Sequence, residues 1–311
     1  MSCLSRAKMM TQKIGVLLGG LSAEREISLK TGQAALAALK RLGYDAVAID
    51  VGHDLPEQLK AASVDVAFIA LHGRFGEDGR VQGLLEMLQL PYTGSGVQAS
   101  SVAIDKVMTK QLLLYHELPT PGFDFMRPGE SAAGLLERCR HLPLIVKPSR
   151  EGSTIGITIA RSREALRHGI DTAAALDGTV LVEDFIDGVE LTVSVVNGEA
   201  LPIIQIVPKS GFYDYQAKYV SGDTEYLLPA PIDAVSYQRV QDAAVRACRV
   251  LGCRGAARVD FMLREREFYC IEVNTIPGMT ATSLLPKAAA AAGITFETLV
   301  EMILLDADLD K

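Results

Sequence analysis

The stretch from Gly255 to Ser283 reads GAARVDFMLREREFYCIEVNTIPGMTATS, and the rest of the chain is best interpreted around it. It has the pattern of two β-strands followed by a polar loop. Side chains of a strand alternate between its two faces, so Arg258 and Asp260 share one face of the first strand. The same rule puts Glu272 and Asn274 on one face of the second strand. We therefore expect four charged or oxygen-bearing side chains to converge.

The register of the two strands decides whether these side chains meet. In an antiparallel hairpin, Asp260 lies opposite Glu272 only when the loop between the strands holds an odd number of residues. Glu265, Arg266 and Glu267 form such a loop. The sequence therefore allows a hairpin with a three-residue loop, and we expect that register.

The converging set has the chemistry of a magnesium site. Asp260, Glu272 and Asn274 offer only oxygen ligands, with no Cys or His nearby, and Mg²⁺ prefers such ligands together with phosphate oxygens. Arg258 adds a permanent positive charge. A solvated acidic rim is the alternative, and it predicts turn residues after Asn274. The sequence instead continues from an apolar strand into TIPGMT, which favours the metal site.

Length and composition indicate a globular protein of two or three domains. The chain has 311 residues, of which 49% are hydrophobic and 22% charged, and a single core rarely grows beyond about 250 residues. The net charge of -7 argues against a nucleic-acid-binding or anionic-membrane surface, which needs a basic patch. Local cations must therefore hold any anionic ligand.

The cysteines and the N-terminal segment indicate the cytoplasm. Five cysteines without C-x-x-C spacing suggest neither a disulfide framework nor a zinc site. Residues 1–13 lack the apolar segment of an export signal, and IGVLLGG is too short to span a membrane. We expect a cytoplasmic location.

The first hundred residues have the pattern of an open α/β sheet. The segments KIGVLL, DAVAID and DVAFIAL are strand-like and alternate with amphipathic helical stretches. Two loops, GGLSAERE with Glu24 and LHGRFGEDG with His72, follow strands, where ligands of such sheets gather. Each also has a structural interpretation, with Glu24 at a helix N-terminus and His72 as a packed loop histidine.

A second loop with ligand-binding character lies in the middle of the chain. Asp105 is expected to cap a helix from Lys106 to His116, and the strand PLIVKP then runs into SREGSTIG. Glycines and hydroxyls there suit phosphate oxygens, which Ser153 and the backbone would contact while Lys147 supplies a cation. Lys147 as an ordinary strand-end lysine is the alternative.

Between Pro208 and Leu227 lies KSGFYDYQAKYVSGDTEY, which follows a predicted hairpin of ELTVSVV and LPIIQIV. A segment of this length without regular structure suggests a lid or binding loop, with Lys218 as its charge. A solvated surface loop is the alternative.

Taken together, these motifs resemble a known family. GGLSAERE, LHGRFGEDG, KPSREGSTIG, FYDYQAKY, ARVDF and EVNTIPGMT occur in the order and at the separations found in D-alanine:D-alanine ligases of the ATP-grasp superfamily. The resemblance implies three α/β domains, which we expect at residues 1–97 (an N-terminal open parallel sheet), 98–184 (central) and 185–311 (C-terminal), the last two clasping ATP. It also implies a homodimer.

The resemblance implies a reaction as well. ATP would phosphorylate the carboxylate of one D-alanine, and the amine of a second D-alanine would displace phosphate to give the dipeptide of peptidoglycan precursors. In this family a tyrosine on the closing loop marks dipeptide formers and phenylalanine marks depsipeptide formers. Tyr219 occupies that position here.

The family's functional residues carry over by motif. Those near ATP are Lys106, Lys147, Glu183, Glu190, Phe212 and Lys218, and the ligands of two Mg²⁺ or Mn²⁺ ions are Asp260, Glu272 and Asn274. Those near the first D-alanine are Glu24, Ser153, Tyr219 and His72. Those facing the acyl phosphate and the second carboxylate are Arg258, the Gly278 amide, and Ser283 with the Leu284 amide.

Two features depart from the family, and two other functions stay open. The turn between Asp260 and Glu272 is one residue shorter than the family leads us to expect, and Asp184 stands where some members have a basic residue. Another ATP-grasp carboxylate-amine ligase would share the metal strands and Lys147 but has no reason to combine GGLSAERE with FYDYQAKY. A non-catalytic nucleotide-binding regulator would usually have lost a metal or oxyanion residue, and all are present.

Overall fold

The computed structural model describes residues 6–152, 155–208 and 224–311. Ser153, Phe212, Lys218 and Tyr219 lie outside these ranges. Within them the strands form one parallel and two antiparallel sheets.

The N-terminal sheet is parallel, as its sequence predicts. Its order is β2-β1-β3, with strands β1 Lys13–Leu18, β2 Asp45–Asp50 and β3 Val66–Ile69. Apolar side chains of β1 and β3 are buried on both faces because helices cover them. The helices of this region are α1 Arg6–Met9, α2 Arg25–Arg41, α3 Leu55–Ala61 and α4 Arg80–Met87.

Two helices follow and lead into the second sheet. They are α5 Val97–Ile104 and α6 Lys106–Tyr115, and Asp105 caps α6 by accepting hydrogen bonds from the amides of Val107 and Met108. The predicted cap is therefore confirmed. It fixes the first turn of α6 and so the position of Lys106.

The second sheet, sheet B, is antiparallel with the order β4-β7-β5-β6. Helices pack against its apolar side chains to form a separate buried cluster. Its strands are β4 Phe123–Met126, β5 Leu144–Pro148, β6 Thr158–Ala160 and β7 Val180–Asp184, and its helices are α7 Ala132–Arg138 and α8 Arg163–Leu176.

The third sheet, sheet C, contains the hairpin that carries Asp260 and Glu272. Its order is β11-β10-β8-β12-β13, and the short β9 pairs with β8. Its strands are β8 Val189–Val196, β9 Glu199–Ala200, β10 Ile204–Pro208, β11 Thr224–Leu227, β12 Ala256–Arg264 and β13 Glu267–Asn274. Helix α9, Ala234–Leu251, packs on one face of the sheet, and the opposite face remains for other contacts.

The hairpin brings Asp260 opposite Glu272, as predicted, but by a different route. The expected three-residue loop is wrong: Arg264 pairs with Glu267, which leaves a two-residue turn. The register then shifts between Asp260 and Phe261, where Ile271 is an extra residue on β13. This β-bulge restores the pairing that the shorter turn alone would have lost.

Two C-terminal helices return to the N-terminal sheet. Helices α10 Leu284–Ala291 and α11 Phe296–Leu305 share a buried apolar cluster with α2 and the first sheet. No single helix in the described ranges is long and apolar enough to cross a membrane; α10 and α11 reach that length and hydropathy only as a pair bent by 107°. Both helices contribute fully buried side chains to this core.

Candidate active site

One face of sheet C carries polar side chains from three neighbouring strands. Residues that pair directly across an antiparallel sheet point to the same face. Arg258 pairs with both Ser194 and Asn274, and Asp260 pairs with both Thr192 and Glu272. The opposite face consists of apolar residues that pack on α9.

The bulge at Ile271 is what puts the β13 side chains on this polar face. Without the extra residue, Asp260 would pair with Ile271, and Glu272 would pair with Val259. Val259 is fully buried against α9, so Glu272 would be directed into the apolar core. A single residue of register therefore decides whether the site exists.

The polar face of sheet C borders a cavity of about 780 Å³. Loops from the N-terminal sheet, the start of α6 and the start of α10 complete its walls. Nine of the residues predicted from sequence line it, namely Glu24, His72, Lys106, Arg258, Asp260, Glu272, Asn274, Gly278 and Ser283. The structure thus brings together residues that are up to 259 positions apart in the chain, since 283 - 24 = 259.

Arg258 and Asp260 form a paired unit at the centre of this face. The guanidinium donates two hydrogen bonds, each 2.9 Å long, one to each oxygen of the Asp260 carboxylate. Thr192 donates a third hydrogen bond to Asp260 Oδ1 at 2.6 Å. Asp260 is buried, so these bonds hold its carboxylate in one orientation.

Glu272 lies near two cations of the site. Its carboxylate is 3.6 Å from Lys106 Nζ and 4.0 Å from Arg258 Nη2. The Lys106 ammonium also donates a hydrogen bond of 2.8 Å to the carbonyl of Glu151. Positive and negative groups therefore lie next to each other along the wall of the cavity.

Asn274 completes the predicted metal set. Its side-chain oxygen accepts a hydrogen bond of 2.9 Å from the amide of Ile276, which fixes the side chain at the end of β13. Within the described ranges there is no group of three or more His, Cys, Asp and Glu side chains arranged to hold a metal ion. The donor set here is instead two carboxylates and a carboxamide on paired strands, and this hard oxygen chemistry fits Mg²⁺ or Mn²⁺.

A tight loop forms the next wall of the cavity. Ser283 Oγ accepts a hydrogen bond of 3.1 Å from the Thr280 amide and lies 2.8 Å from Thr280 Oγ1. A Cβ added to Gly278 would lie 2.8 Å from Ser283 Oγ, so a larger residue there would displace the Ser283 hydroxyl. The loop thus keeps the Gly278 backbone and the Ser283 hydroxyl side by side at the cavity surface.

Glu24 and His72 approach the cavity from the N-terminal sheet. Glu24 is the N-cap residue of α2 but makes no side-chain capping bond. Its carboxylate instead faces Gly73 and Gly152: a Cβ added to either glycine would lie within 3.1 Å of Glu24 Oε2. His72 is buried, with Nε2 3.0 Å from the Thr31 hydroxyl and Nδ1 4.0 Å from Glu77. Both side chains are therefore positioned by contacts other than simple capping.

Lys147 and Glu183 do not line the cavity. They belong to a buried cluster in which Glu183 forms ion pairs with Lys147 and with Lys110, the second at a distance of 2.8 Å. All three residues are at least 97% buried. Burial raises the pKa of Glu183, but the two lysines outweigh it and leave the pKa below its usual value. Burial lowers the pKa of Lys110.

Glu190 lies on the polar face of sheet C, where it pairs with Met262 and Ile206. It is in line with Thr192 and Ser194 along β8, although it does not line the cavity described above. The remaining predicted residues, Ser153, Phe212, Lys218 and Tyr219, fall outside the described ranges.

Sequence reasoning missed two residues that contact predicted site residues: Thr31 contacts His72, and Lys110 pairs with Glu183. Lys110 and Thr31 lie on helices and were assigned no role. Each occurs on a buried helical stripe, Lys110 three residues from the buried Val107 and Leu113. A polar residue on an otherwise apolar helical stripe is the sequence feature that could have identified them, because buried polar groups need partners.

Residues 112–305 match the family model for the D-Ala-D-Ala ligase C-terminus, and residues 51–95 match that for the N-terminus. The chain belongs to the D-alanine–D-alanine ligase family. It is 59% identical to the D-alanine–D-alanine ligase of Syntrophotalea carbinolica over 99% of this chain and 100% of that one. It is 50% identical to the ligase of Carboxydothermus hydrogenoformans over 94% and 97%.

Solved structures of the D-alanine–D-alanine ligase family have the same fold. The ligase of Bacillus anthracis complexed with ATP aligns with a TM-score of 0.83 at 36% identity, covering 95% of this chain and 97% of that one. A second structure of the B. anthracis ligase aligns with a TM-score of 0.84 at 37% identity over the same shares. The expected ATP-grasp fold is therefore confirmed.

Proposed function

We propose that this chain joins two D-alanine molecules to D-alanyl-D-alanine at the expense of ATP, through a D-alanyl phosphate, with ADP and phosphate as products. The observation that carries the proposal is the single cavity lined by nine of the predicted residues, in a chain that matches D-alanine–D-alanine ligases over nearly its entire length. A relative of the same fold was solved in complex with ATP, which supports ATP as the phosphoryl donor here. The dipeptide would serve peptidoglycan precursor synthesis.

The roles of the residues follow from the chemistry of each step. A carboxylate is a poor acyl donor, so an oxygen of the first D-alanine carboxylate attacks the γ-phosphorus of ATP and ADP leaves. Glu24 and His72, with Ser153 and Tyr219, hold the first D-alanine in this proposal. Lys106, Lys147, Glu183, Glu190, Phe212 and Lys218 form the nucleotide site.

The second step places developing negative charge near Arg258. The amine of the second D-alanine attacks the carbonyl carbon, and phosphate leaves after a tetrahedral oxyanion has formed. Arg258 and the Gly278 amide stabilise that oxyanion, and Ser283 with the Leu284 amide binds the second carboxylate. Exclusion of water from the cavity protects the acyl phosphate, which water would otherwise hydrolyse.

We also propose that Asp260, Glu272 and Asn274 hold two Mg²⁺ or Mn²⁺ ions. Bound there, such ions offset the negative charge of the phosphate oxygens and the incoming carboxylate. The all-oxygen donor set and its position on paired strands support this proposal.

The larger organisation is proposed on the same basis. The domains are residues 1–97, 98–184 and 185–311, the working state is a cytoplasmic homodimer, and neither nucleic acid nor membrane is a partner. Sheet B lies within the second range and sheet C within the third, which supports these divisions. The negative net charge of -7 supports the absence of a nucleic-acid surface.

The test is phosphate release from ATP across a panel of D- and L-amino acids. We expect release with D-alanine and little with L-alanine or with large D-amino acids. Release that is independent of amino acid, or strongest with an L-amino acid, would contradict the proposed substrate. No release with any amino acid would favour a non-catalytic nucleotide-binding protein.

A further inference from the structure

Lys287 is a cation of the cavity to which the sequence comparison assigns no role. It lies on α10, lines the cavity and is half-buried. Its ammonium nitrogen is 3.9 Å from the centroid of the Tyr226 ring. Within the described ranges, no carboxylate oxygen lies within the 4.0 Å of Lys287 Nζ that defines an ion pair.

The other cations of the cavity differ from Lys287. Arg258 is paired with Asp260, and Lys106 lies 3.6 Å from Glu272. Lys30, on α2, also has no carboxylate partner among the described residues, but its side chain is exposed and solvated. Lys287 is therefore the half-buried cation of this cavity, among described residues, whose charge no carboxylate balances.

The environment of Lys287 favours a bound anion. Burial lowers its pKa, which reflects the loss of water around the ammonium. The face of an aromatic ring attracts a cation but carries no net charge, so it replaces only part of the lost hydration. An anionic group entering the cavity would supply the missing partner.

The position of Lys287 identifies which anion it meets. Lys287 follows Ser283 by four residues, and residues four apart lie on the same face of a helix. Ser283 is the N-cap residue of α10 but makes no side-chain capping hydrogen bond, and both side chains line the cavity. The Ser283 hydroxyl and the Lys287 ammonium therefore reach the same part of it.

We propose that Lys287 pairs with the carboxylate of the second, acceptor D-alanine and makes the enzyme select acceptors that carry a free carboxylate. This rests on the proposed ligase function. The donor carboxylate loses its charge when it is phosphorylated and must lie near Arg258 and Glu272. The acceptor carboxylate stays ionised through both steps, so a fixed cation can bind it throughout the reaction.

The experiment measures acceptor choice in the full-length enzyme. D-Alanine and D-alaninamide, which lacks the carboxylate, compete as acceptors in the presence of ATP and Mg²⁺, and mass spectrometry quantifies both products. Lys287→Met removes the charge at similar size, and Lys287→Arg keeps it. Lys30→Met is the matched control, because it removes another cavity lysine that has no carboxylate partner in the part of the chain that the structure describes.

We expect Lys287→Met to lower the preference for D-alanine over D-alaninamide about tenfold or more, the scale of a hydrogen bond to a charged group. The KM for acceptor D-alanine should rise by a similar factor, with the KM for ATP unchanged. Lys287→Arg and Lys30→Met should keep the wild-type preference. Thermal unfolding of each variant shows that the comparison is made on folded protein.

The outcomes separate this proposal from the function on which it rests. An active wild type with an unchanged preference in Lys287→Met would overturn the role of Lys287 alone. A rise confined to the KM for ATP would also overturn it, because Lys287 would then bind phosphate. A wild type that forms no dipeptide would overturn the proposed function and this role together.

Discussion

Two charged clusters in this molecule differ in burial and in access to the cavity. The sheet B cluster has its carboxylate between two lysines, fully buried, with an ion pair of 2.8 Å from Lys110. The sheet C cluster borders the cavity and includes separations of 3.6 and 4.0 Å around Glu272. The members of the sheet B cluster are Lys110, Lys147 and Glu183, and those of the sheet C cluster are Lys106, Arg258, Asp260 and Glu272.

The difference shows how one chain uses similar residues for two purposes. A buried charge that loses its partner strongly destabilises the folded state, so the fold depends on the ion pairs of the sheet B cluster. The sheet C cluster lines the cavity, so its carboxylate oxygens and cations can contact phosphate, carboxylate or metal there. We therefore expect substitutions in the first cluster to change stability most and substitutions in the second to change turnover most.

The largest effect should come from Glu272→Gln. It removes a negative charge from the proposed metal set while keeping the size of the side chain, so we expect turnover of D-alanine and ATP to fall below detection. Unfolding in urea should stay cooperative. The matched control is Glu267→Gln on the same hairpin, at an exposed position, which should leave turnover unchanged. Near-wild-type turnover of Glu272→Gln at saturating Mg²⁺ would refute the metal assignment.

Arg258→Ala should have the next largest effect on activity. In the proposed mechanism its guanidinium faces the charge that develops on the tetrahedral intermediate, and loss of one such donor typically lowers kcat by about 10² or more. Steady-state kinetics measures this directly. If only the KM for ATP changed, Arg258 would be a phosphate anchor and would not stabilise the transition state.

Lys110→Met tests how much the buried cluster contributes to the free energy of unfolding. Removing one lysine leaves the Glu183 carboxylate buried with a single cation, and we expect the free energy of unfolding to fall by about 3 kcal/mol. The control is Arg138→Met in the exposed Arg138–Asp124 pair, where the change should be less than about 1 kcal/mol. Equal losses in urea unfolding would mean that burial does not distinguish the two pairs.

The smallest expected effect concerns Asp177, whose pKa in the folded chain is lower than usual. Burial raises the pKa of Asp177. Hydrogen bonds from the Arg150 side chain and from the amides of Arg150 and Thr179 lower the pKa by more, so the net shift is downward. Its stabilising contribution is therefore present above the unfolded pKa of about 3.9 and is lost as pH falls through the folded value.

Urea unfolding between about pH 6 and pH 3 checks this sign. Wild type should lose more free energy of unfolding than Asp177→Asn as the pH falls, so that the two curves converge. Asp171→Asn, at an exposed position on α8, is the control and should follow wild type. Parallel curves for wild type and Asp177→Asn would contradict the assignment.

The sequence allowed most of this arrangement to be predicted because its signals are local. Strand alternation identified the faces of β12 and β13, and Asp105 identified the start of α6. The pairing of Asp260 with Glu272 was also correct. The wrong loop length has a physical cause: alternation fixes the faces within a strand, but a bulge adds a residue without any composition signal, and Ile271 is an ordinary strand residue.

Lys110 was missed for a different reason. A lysine on a helix is usually solvent-exposed, and the acid that pairs with it, Glu183, lies 73 residues later on β7, since 183 - 110 = 73. Only the tertiary fold, which brings Lys110 of α6 within 2.8 Å of Glu183 on β7, unites the two. Partners that are distant in the sequence are set by tertiary structure, which no local pattern encodes.

The most direct test of the central claim is the stoichiometry of the wild-type reaction. With ATP, Mg²⁺ and D-alanine as the only amino acid, ADP, phosphate and D-alanyl-D-alanine should form in equal amounts. That result is expected if the cavity on sheet C activates one carboxylate by phosphorylation and protects the acyl phosphate until the second amine attacks. Formation of AMP and pyrophosphate, or phosphate release without dipeptide, would contradict the account.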